Sequence, residues 1–373
     1  MIKRILHITS TMNRGGAETM LMNIYRNIDR TRFQFDFIIS SPSTQDYENE
    51  ICSLGGQIIR VNTLKGAKGI YNVLKVLKKY GPYRAIHCST LLNSSFCLIS
   101  AAIYSKNIIR IVHSHSTRNV LSPTIIQSIY EYIAKKIINK FATIKIACGI
   151  EAGHYLFGEK FDSNGIILNN CIDNKIFYPY PKNSSIFNSV VKLQNELNIS
   201  NQITIGCVAR LVELKNHRYL IEIGKQLKQR NVQFKFVLVG DGPLKEYLSQ
   251  EIMINNLQNN FIFVGVRQDT SIFYNLFDCL VLPSFYEGNP VTLIEAQACG
   301  IPCIVSEAIT NKMDLGLGLL HRLNLKDINR WCDLITELKG FRITDSTMIN
   351  NAFCNHGYDL NKNIELLVNI YDN

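Results

Sequence analysis

The sequence has 373 residues, of which 46% are hydrophobic and 19% charged, a balance that excludes a disordered chain and is typical of globular proteins. This length favours two domains of ordinary size. The net charge of +10 is compatible with a nucleic acid, an anionic membrane surface or a phosphorylated ligand, but the absence of a zinc-finger, basic leucine zipper or RNA-recognition signature disfavours nucleic acid.

The eleven cysteines are scattered singly, without a Cys-x-x-Cys pair or a Cys/His cluster of zinc-binding spacing. The first residues lack the apolar stretch and cleavage site of a signal peptide. No apolar run reaches the ~18 residues needed to span a bilayer. We therefore expect a cytoplasmic protein whose reduced cysteines are small core residues.

The first half alternates short β-rich runs with segments of helical periodicity. The predicted strands are 5–9, 35–39, 58–61, 85–88, 108–112, 143–148 and 166–168. The predicted helices lie near 17–28, 70–77, 91–102 and 124–140. Strands separated by helices imply parallel βαβ units with right-handed crossovers.

The polar stretch Tyr178–Ser189, which contains two prolines, is the predicted interdomain linker. The alternation then starts again. Its predicted strands are 203–208, 234–239, 261–264, 279–282 and 303–305, and its predicted helices lie near 216–229, 244–254, 270–277 and 291–299.

The pattern predicts an α/β fold of two doubly wound, Rossmann-like domains, residues 1–180 and 190–355. A terminal helix in residues 356–373 is expected to dock on the N-terminal domain. Open α/β sheets bind ligands at the carboxyl ends of their strands, so both domains are expected to contribute loops to an interdomain cleft.

The first candidate motif, Asn13-Arg14-Gly15-Gly16-Ala17-Glu18, follows the first predicted strand. It has neither the spacing of a dinucleotide fingerprint nor the Gly-Lys-Ser/Thr of a P-loop. Two glycines before a helix let the backbone approach a phosphate, which a helix N-terminus favours. A tight strand–helix turn explains the same residues without a ligand.

A second candidate motif contains two cations after the strand 203–208. Arg210 lies just beyond the strand end, and Lys215 lies at the start of the next predicted helix. The two could clamp a diphosphate, the arginine through its planar fork and the lysine as a compact charge; the alternative is two solvated cations. We interpret the later turn Gly240–Pro243 as mainly structural, since proline is common at a first helical position.

The segment Ser284–Ala296 carries the strongest pattern. Asn289 is predicted to cap a helix and Pro290 to begin it, which places Glu287 on the preceding loop and Glu295 on the second helical turn. Carboxylates are good acceptors for vicinal sugar hydroxyls, and free amides at the helix start suit a phosphate. Two unrelated surface acids remain the alternative.

Two histidines follow the strand 108–112. A histidine at a strand's carboxyl end, such as His113 or His115, points toward the predicted cleft. The alternative is a turn histidine with a structural hydrogen bond.

Glu287 and Glu295, with seven residues between them, resemble the E-x7-E motif of the retaining GT-B glycosyltransferases of family four. The resemblance covers nearly the whole chain and is closest to bacterial exopolysaccharide and capsule enzymes. Its other segments are 15–18, 110–116, 157–158, 170–173, Arg210 with Lys215, 240–243 and 358–360. Gly149, where the family often has serine, and the segment 311–323, which lacks the family's Gly/Glu pattern, depart from it.

The resemblance implies that Glu295 binds the nucleotide ribose and Glu287 the donor sugar. Arg210 and Lys215 would neutralise the diphosphate, and His115 would contact the sugar near its hydroxymethyl group. The implied catalytic set is His115, Glu287, Arg210 and Lys215. The implied donor-binding set is Gly15, Gly16, Arg210, Lys215, Val266, Arg267, Glu287, Gly288, Asn289, Pro290, Val291, Thr292 and Glu295, with Val266 and Arg267 beside the nucleobase.

The resemblance further implies a UDP-sugar donor, a glycan or polyprenyl-linked acceptor, and retention of anomeric configuration by same-face attack. A donor phosphate oxygen would take the acceptor's proton. No Asp-x-Asp motif that would hold a divalent metal is present in the sequence, so we expect no metal and no cofactor, with Arg210 and Lys215 taking the metal's part.

Two other functions share this fold. A sugar-nucleotide 2-epimerase would release a changed sugar nucleotide without an acceptor. A non-catalytic subunit of a polysaccharide assembly complex would be expected to lose donor-site residues, yet Arg210, Lys215, Glu287 and Glu295 are all present.

Basic residues crowd two segments of the N-terminal half. They are Lys65, Lys68, Lys75, Lys78, Lys79 and Arg84 in one segment and Lys135, Lys136 and Lys140 in the other. Because each cation near an anionic leaflet contributes about 1 kcal/mol, our hypothesis is that this half docks reversibly on the inner membrane surface. The alternative for the apolar face of the helix 70–77 is that it packs only on its own sheet.

Overall fold

The computed structural model describes residues 2–116 and 124–373. The chain forms two compact units. Unit 1 comprises the residues up to Cys171 together with Gly357–Asn373, and unit 2 comprises Ile172–His356. Both units are built around parallel sheets.

The described residues of unit 1 form a seven-stranded sheet of order β3-β2-β1-β4-β5-β6-β7. Its strands are β1 Lys3–Ile8, β2 Phe33–Ile39, β3 Ile58–Arg60, β4 Ala85–Cys88, β5 Ile109–Ser114, β6 Ile144–Ala147 and β7 Ile166–Ile167. Its first seven helices are α1 Gly16–Asn27, α2 Glu48–Ser53, α3 Gly66–Tyr80, α4 Ser94–Tyr104, α5 Ile125–Phe141, α6 Ile150–Phe157 and α7 Phe161–Asn164. The strand order reverses between β1 and β4, which defines the switch point of a doubly wound sheet.

The described residues of unit 2 form a six-stranded parallel sheet of order β10-β9-β8-β11-β12-β13. Its strands are β8 Ile203–Val208, β9 Phe234–Val239, β10 Phe261–Gly265, β11 Cys279–Leu282, β12 Cys303–Ser306 and β13 Leu320–Leu323. Its helices are α8 Phe187–Glu196, α9 His217–Gln229, α10 Lys245–Ile254, α11 Thr270–Leu276, α12 Val291–Ala298, α13 Ile328–Glu337 and α14 Ser346–Asn355. The switch point lies between β8 and β11, so the loops that follow these strands share one edge.

The last helix, α15 Leu360–Asp372, returns to unit 1. Leu360, Leu367 and Tyr371 are buried in the core that α1 and the sheet form. Lys3 Nζ donates to Asp372 Oδ1 at 2.7 Å, which fixes the helix end beside β1.

The stretch Tyr178–Ser189, predicted to be the interdomain linker, lies inside unit 2, and the units divide after Cys171. The reason is a set of buried hydrogen bonds to α11. Asn275 Oδ1 accepts from Tyr180 N at 2.8 Å, and the Tyr180 hydroxyl contacts Ser271 Oγ at the same distance. Polar residues in this stretch therefore form hydrogen bonds that attach it to α11 of unit 2.

Among the described residues, no helix combines the length and the apolar character that crossing a bilayer requires.

Candidate functional site

The carboxyl edge of the unit 2 sheet gathers the predicted ionic residues. Arg210 and Lys215 follow β8, and Glu287 follows β11, the neighbouring strand. Lys215 ends a 3₁₀ turn, Glu213–Lys215, whereas the sequence placed it at the start of the next helix; α9 begins at His217.

Lys215 and Glu287 form an ion pair, with side chains 18% and 9% exposed. The same Glu287 Oε1 accepts a hydrogen bond from Ser284 Oγ at 2.8 Å. A carboxylate with two donors is held in one orientation, and a lysine ammonium with three donors keeps capacity for another acceptor. The pair is therefore a positioned group with room for a ligand.

Backbone contacts tie the two loops together. Asn216 lies in the left-handed region at φ 52°, which asparagine tolerates, and its Nδ2 donates to Pro283 O at 3.1 Å. Phe285 N donates to Leu214 O at 2.9 Å. Because these bonds flank Lys215 and Glu287, the ion pair is set on a fixed frame.

Arg210 is exposed, and within the described residues its guanidinium has no hydrogen-bond or ion-pair partner. Its backbone is held by the Gly240–Pro243 turn, as the structural interpretation of that turn requires. Gly240 has φ +139°, and a Cβ there would collide with Ala209 O. Leu211 N donates to Asp241 O at 3.0 Å. The turn thus presents Arg210 at the sheet edge.

Glu295 lies on α12 and is only 8% exposed. Its Oε2 accepts from the Tyr274 hydroxyl at 2.7 Å, and no protein donor within the described residues occupies Oε1. Burial raises the pKa of Glu295 to about 7, and the Tyr274 hydrogen bond opposes that shift. Glu295 is thus a buried acceptor with one oxygen free for a ligand hydroxyl.

The start of α12 differs from the prediction. Pro290 occupies the N-cap position with extended backbone, no side chain caps the helix, and Val291 is the first helical residue. The predicted Asn289 cap is therefore wrong, because Pro290 stands between Asn289 and the helix. The amides of Val291 and Thr292 belong to the first turn, which lacks intrahelical acceptors. Gly288 precedes this turn with open space where a Cβ would stand.

Val266 and Arg267 follow β10 at the same edge of the sheet. Val266 is 56% exposed. Arg267 is held by Asp269 through Nε and Nη2, at 2.9 and 2.7 Å, and lies 5.2 Å from the centre of the Phe273 ring. The guanidinium fork of Arg267 is therefore occupied by protein, and Val266 is the freely presented side chain.

In unit 1, Gly15 and Gly16 lie at the junction of β1 and α1. Gly15 is the N-cap in extended conformation, and α1 begins at Gly16. Arg14 N donates to Asp46 Oδ2 at 3.0 Å, which pins the loop. A Cβ on Gly15 would meet the Glu18 carboxylate, so the glycine keeps backbone and side chain close together.

His115 belongs to a histidine cluster that sequence reasoning found only in part. The rings of His7, His87, His113 and His115 contact one another in succession, with ring centres 4.9, 5.5 and 3.9 Å apart. His7 and His87 were missed, although each is a polar residue one position before the end of a buried strand. This position near the carboxyl ends of β1 and β4 is the sequence feature that could have identified His7 and His87 as candidates.

Burial keeps these rings neutral. It lowers the pKa of His115 to about 4 and that of His87 to about 3, and it lowers the pKa values of His7 and His113 well below their usual range. Within the described residues, one ring nitrogen of each histidine has no partner. The rings line a cavity of about 30 Å³, enough for a water molecule. His115 is thus a neutral hydrogen-bonding group.

Among residues 2–116 and 124–373, no group of three or more His, Cys, Asp or Glu side chains is arranged to hold a metal ion.

Comparison with known proteins gives the family. The model of the family "Glycosyl transferases group 1" matches residues 191–314. The chain is 35% identical over 376 residues to "Putative glycosyltransferase EpsF" of Bacillus subtilis, covering 99% of this chain and 96% of that protein. It is 28% identical over 220 residues to the "UDP-Gal:alpha-D-GlcNAc-diphosphoundecaprenol alpha-1,3-galactosyltransferase" of Escherichia coli, covering 55% of this chain and 53% of that protein.

The fold also matches a solved structure. Anabaena Alr3699/HepE, in a complex with UDP and glucose, superposes with a TM-score of 0.75 at 18% identity, covering 99% of both chains. The two Rossmann-like units described above therefore have the GT-B architecture. The chain belongs to the group 1 glycosyltransferases and is a glycosyltransferase of the GT-B fold.

Proposed function

We propose that the protein is a retaining, family-four glycosyltransferase that moves a sugar from a UDP-sugar to a glycan or polyprenyl-linked acceptor. The reaction would serve exopolysaccharide, capsule or O-antigen biosynthesis on the cytoplasmic side of the membrane. The observation that carries the proposal is the group at one edge of unit 2: an exposed arginine, a lysine–glutamate pair and a buried glutamate whose Oε1 has no donor among the described residues.

Each of these groups suits one part of a nucleotide sugar. Glu295 accepts from ribose hydroxyls through Oε1, for which residues 2–116 and 124–373 provide no donor. Arg210 and Lys215 neutralise the diphosphate, because a planar fork and a compact ammonium complement its oxygens. The amides of Val291 and Thr292 add the partial positive charge of a helix N-terminus.

The remaining residues orient the sugar and the base. Glu287, fixed by Lys215 and Ser284, accepts from donor-sugar hydroxyls. Val266 contacts the nucleobase, with Arg267 contributing its backbone because Asp269 holds its side chain. His115, neutral through burial, hydrogen-bonds the sugar near its hydroxymethyl group.

The chemistry is positioning and charge stabilisation. The bond between the anomeric carbon and the diphosphate oxygen breaks while the acceptor oxygen bonds to the same face of that carbon. The acceptor's proton goes to a donor phosphate oxygen, and Arg210 and Lys215 stabilise the departing diphosphate without a metal. Glu287 and Glu295 are not the acid and nucleophile of a glycosidase.

The relatives support the substrate class. The Escherichia coli relative is named for a UDP-sugar donor and a diphosphoundecaprenol-linked acceptor, and the Anabaena structure contains UDP and glucose. An epimerase or a non-catalytic subunit has no comparable support.

The test is a calorimetric screen of sugar nucleotides, followed by a panel of lipid-linked acceptors with the donor that binds. We expect UDP release to require both donor and acceptor and to yield a glycosylated acceptor. Conversion of the sugar nucleotide without an acceptor would identify an epimerase. Failure to bind any sugar nucleotide would support a non-catalytic subunit.

A further inference from the structure

Helix α5 of unit 1 presents an apolar stripe to solvent. The stripe consists of Ile125, Ile126, Ile129, Tyr132 and Ile133, which are between 49% and 81% exposed. At about 100° per residue, these positions fall within roughly 120° of the helix circumference. We propose that this stripe docks unit 1 on an anionic bilayer, with α5 lying at the boundary between headgroups and acyl chains.

The opposite face of α5 already packs on the protein. Ala134 and Ile138 are buried. The Tyr130 hydroxyl donates to Asn93 Oδ1 at 3.0 Å, and its ring stacks on Phe96 with centres 6.2 Å apart. The helix is therefore anchored through the face opposite the stripe, and the exposed isoleucines form a separate apolar surface.

The charged residues of α5 favour an anionic bilayer as the partner of the stripe. Lys136 and Lys140 continue the apolar stripe toward the helix C-terminus, and Lys136 Nζ lies 4.4 Å from the centre of the Tyr132 ring. Glu131, the only acid of the helix, is paired with Lys135 at 2.7 Å. An apolar face that continues into lysines is typical of helices that lie in an anionic membrane interface.

The neighbouring helices extend the same character. Helix α4 packs between α3 and α5, and the three helices carry seven lysines and one glutamate. Tyr71 of α3 and Ile103 of α4 are 64% and 61% exposed. Two copies of such a layer would repel each other, whereas lipid phosphates would neutralise it.

This surface refines the basic segments found in the sequence. Arg84 is excluded, because its guanidinium donates to Tyr371 O and Asp372 O at 3.0 Å. The aliphatic residues Val73 and Leu77 of α3 are buried in the core that includes strand residues of the sheet, so Tyr71 is the large exposed apolar side chain of that helix. Helix α5 is therefore the element that inserts apolar side chains into the bilayer. The lysines of α3 add only long-range attraction to anionic lipid. The inference rests on the proposed function only for its purpose, delivery of the enzyme to a lipid-linked acceptor.

The test is cosedimentation of the full chain with vesicles of phosphatidylcholine alone or of an equal mixture with phosphatidylglycerol. We expect binding to the mixed vesicles and loss of that binding as salt rises. A variant with Ile126→Gln, Ile129→Gln and Ile133→Gln should bind the mixed vesicles at least roughly tenfold more weakly, because it has lost the apolar side chains that insert. Lys136→Glu with Lys140→Glu should weaken binding by roughly fivefold or more for each lysine.

The matched controls lie in unit 2. Met253→Gln with Ile254→Gln removes apolar side chains that are 67% and 72% exposed, and Lys182→Glu with Lys326→Glu reverses exposed charges; both should bind as the wild type does. UDP calorimetry on every preparation separates this inference from the catalytic one, because α5 variants should keep UDP affinity. Equal binding to neutral vesicles, wild-type binding by the isoleucine variant, or a wild-type dimer that this variant abolishes would overturn the proposal.

Discussion

Glu295 is a residue on which burial and ligand binding make opposite demands. Its folded pKa of about 7 lies above the ordinary value of 4.5. Between these values the folded state holds a proton that the unfolded chain has lost, so stability declines as pH rises from about 4.5 to 7. Above pH 7 the buried carboxylate is a net cost that a ligand hydroxyl would offset.

We therefore expect Glu295→Gln to raise the melting temperature at about pH 8 and to weaken UDP binding by roughly 10- to 100-fold, since a ribose hydroxyl would lose its carboxylate acceptor. Differential scanning calorimetry and isothermal titration give the two values. Glu246→Gln, an exposed carboxyl of α10 in the same unit, should change neither. Unchanged UDP affinity in Glu295→Gln would reject the ribose assignment.

Arg210 and Lys215 differ in how the structure holds them. Arg210 is exposed and has no side-chain partner in the described part of the chain, while Lys215 is already paired with Glu287. Single changes to alanine should each lower turnover by roughly 10²–10³, the range for removing one preorganised charge partner. Arg218→Ala is the matched control, because Arg218 lies on the neighbouring helix and pairs with exposed Glu213.

Steady-state kinetics on these variants also tests the coupling. Lys215→Ala leaves Glu287 with Ser284 alone, so Lys215→Ala combined with Glu287→Gln should cost less than the two single changes together. Turnover at the wild-type rate in both Arg210→Ala and Lys215→Ala would eliminate the diphosphate clamp.

At the scale of elements, the ends of β1, β4 and β5 bring the neutral histidines together. Their pKa values are lowered, so the unfolded chain takes up protons that the folded chain refuses as pH falls below about 6.5. Stability is fully present above that pH and is lost as pH falls toward 4. The raised pKa of Glu295 changes stability in the opposite direction, but Glu295 is a single group and the cluster contains four histidines.

We expect the melting temperature to fall steeply as pH is lowered from about 6.5 to 5. His87→Gln should make this fall less steep, because about one proton fewer is taken up on unfolding. Thermal melts across this range provide the measurement. His87→Gln is compared with His356→Gln, a histidine substitution at the exposed C-cap of α14, outside the cluster. A wild-type melting temperature that does not vary over this interval would show that the cluster is not held neutral.

The elements also show what a single sequence can reveal. The alternation of β-rich and helical runs predicted β1–β12 and the long helices, because buried parallel strands are short apolar runs. It missed β13, whose residues Leu320–Leu323 are half-buried and include His321 and Arg322. It also missed three helices of ten residues, α8, α13 and α14, of which α8 begins within the polar stretch predicted as a linker.

The part of the candidate site that depends only on the order of strands and loops along the chain was predictable. Residues after β8 and β11 could be assigned to a ligand edge, because strand ends of a parallel sheet share that edge. The Tyr274–Glu295 hydrogen bond joins α11 to α12, and Asp269 occupies the fork of Arg267. Such pairings depend on side-chain packing, which no motif spacing encodes.

At the scale of the whole molecule, the proposed reaction relies on protein cations for charge stabilisation. We expect transfer to proceed at an unchanged rate in excess chelator, because the proposed function gives Arg210 and Lys215 the charge-neutralising role that a divalent ion would otherwise have. A radiometric or mass-spectrometric transfer assay with and without chelator measures this. Loss of activity that manganese or magnesium restores would overturn the assignment.

The central claim is that the chain moves a sugar from a UDP-sugar to an acceptor with retention. The most direct measurement is proton NMR of the product formed from a UDP-α-sugar and a polyprenyl-linked acceptor. The account predicts a new α-linkage, UDP release in equal amount, and neither when Glu287→Gln replaces the wild type. A β-linked product, or an altered UDP-sugar formed without any acceptor, would contradict it.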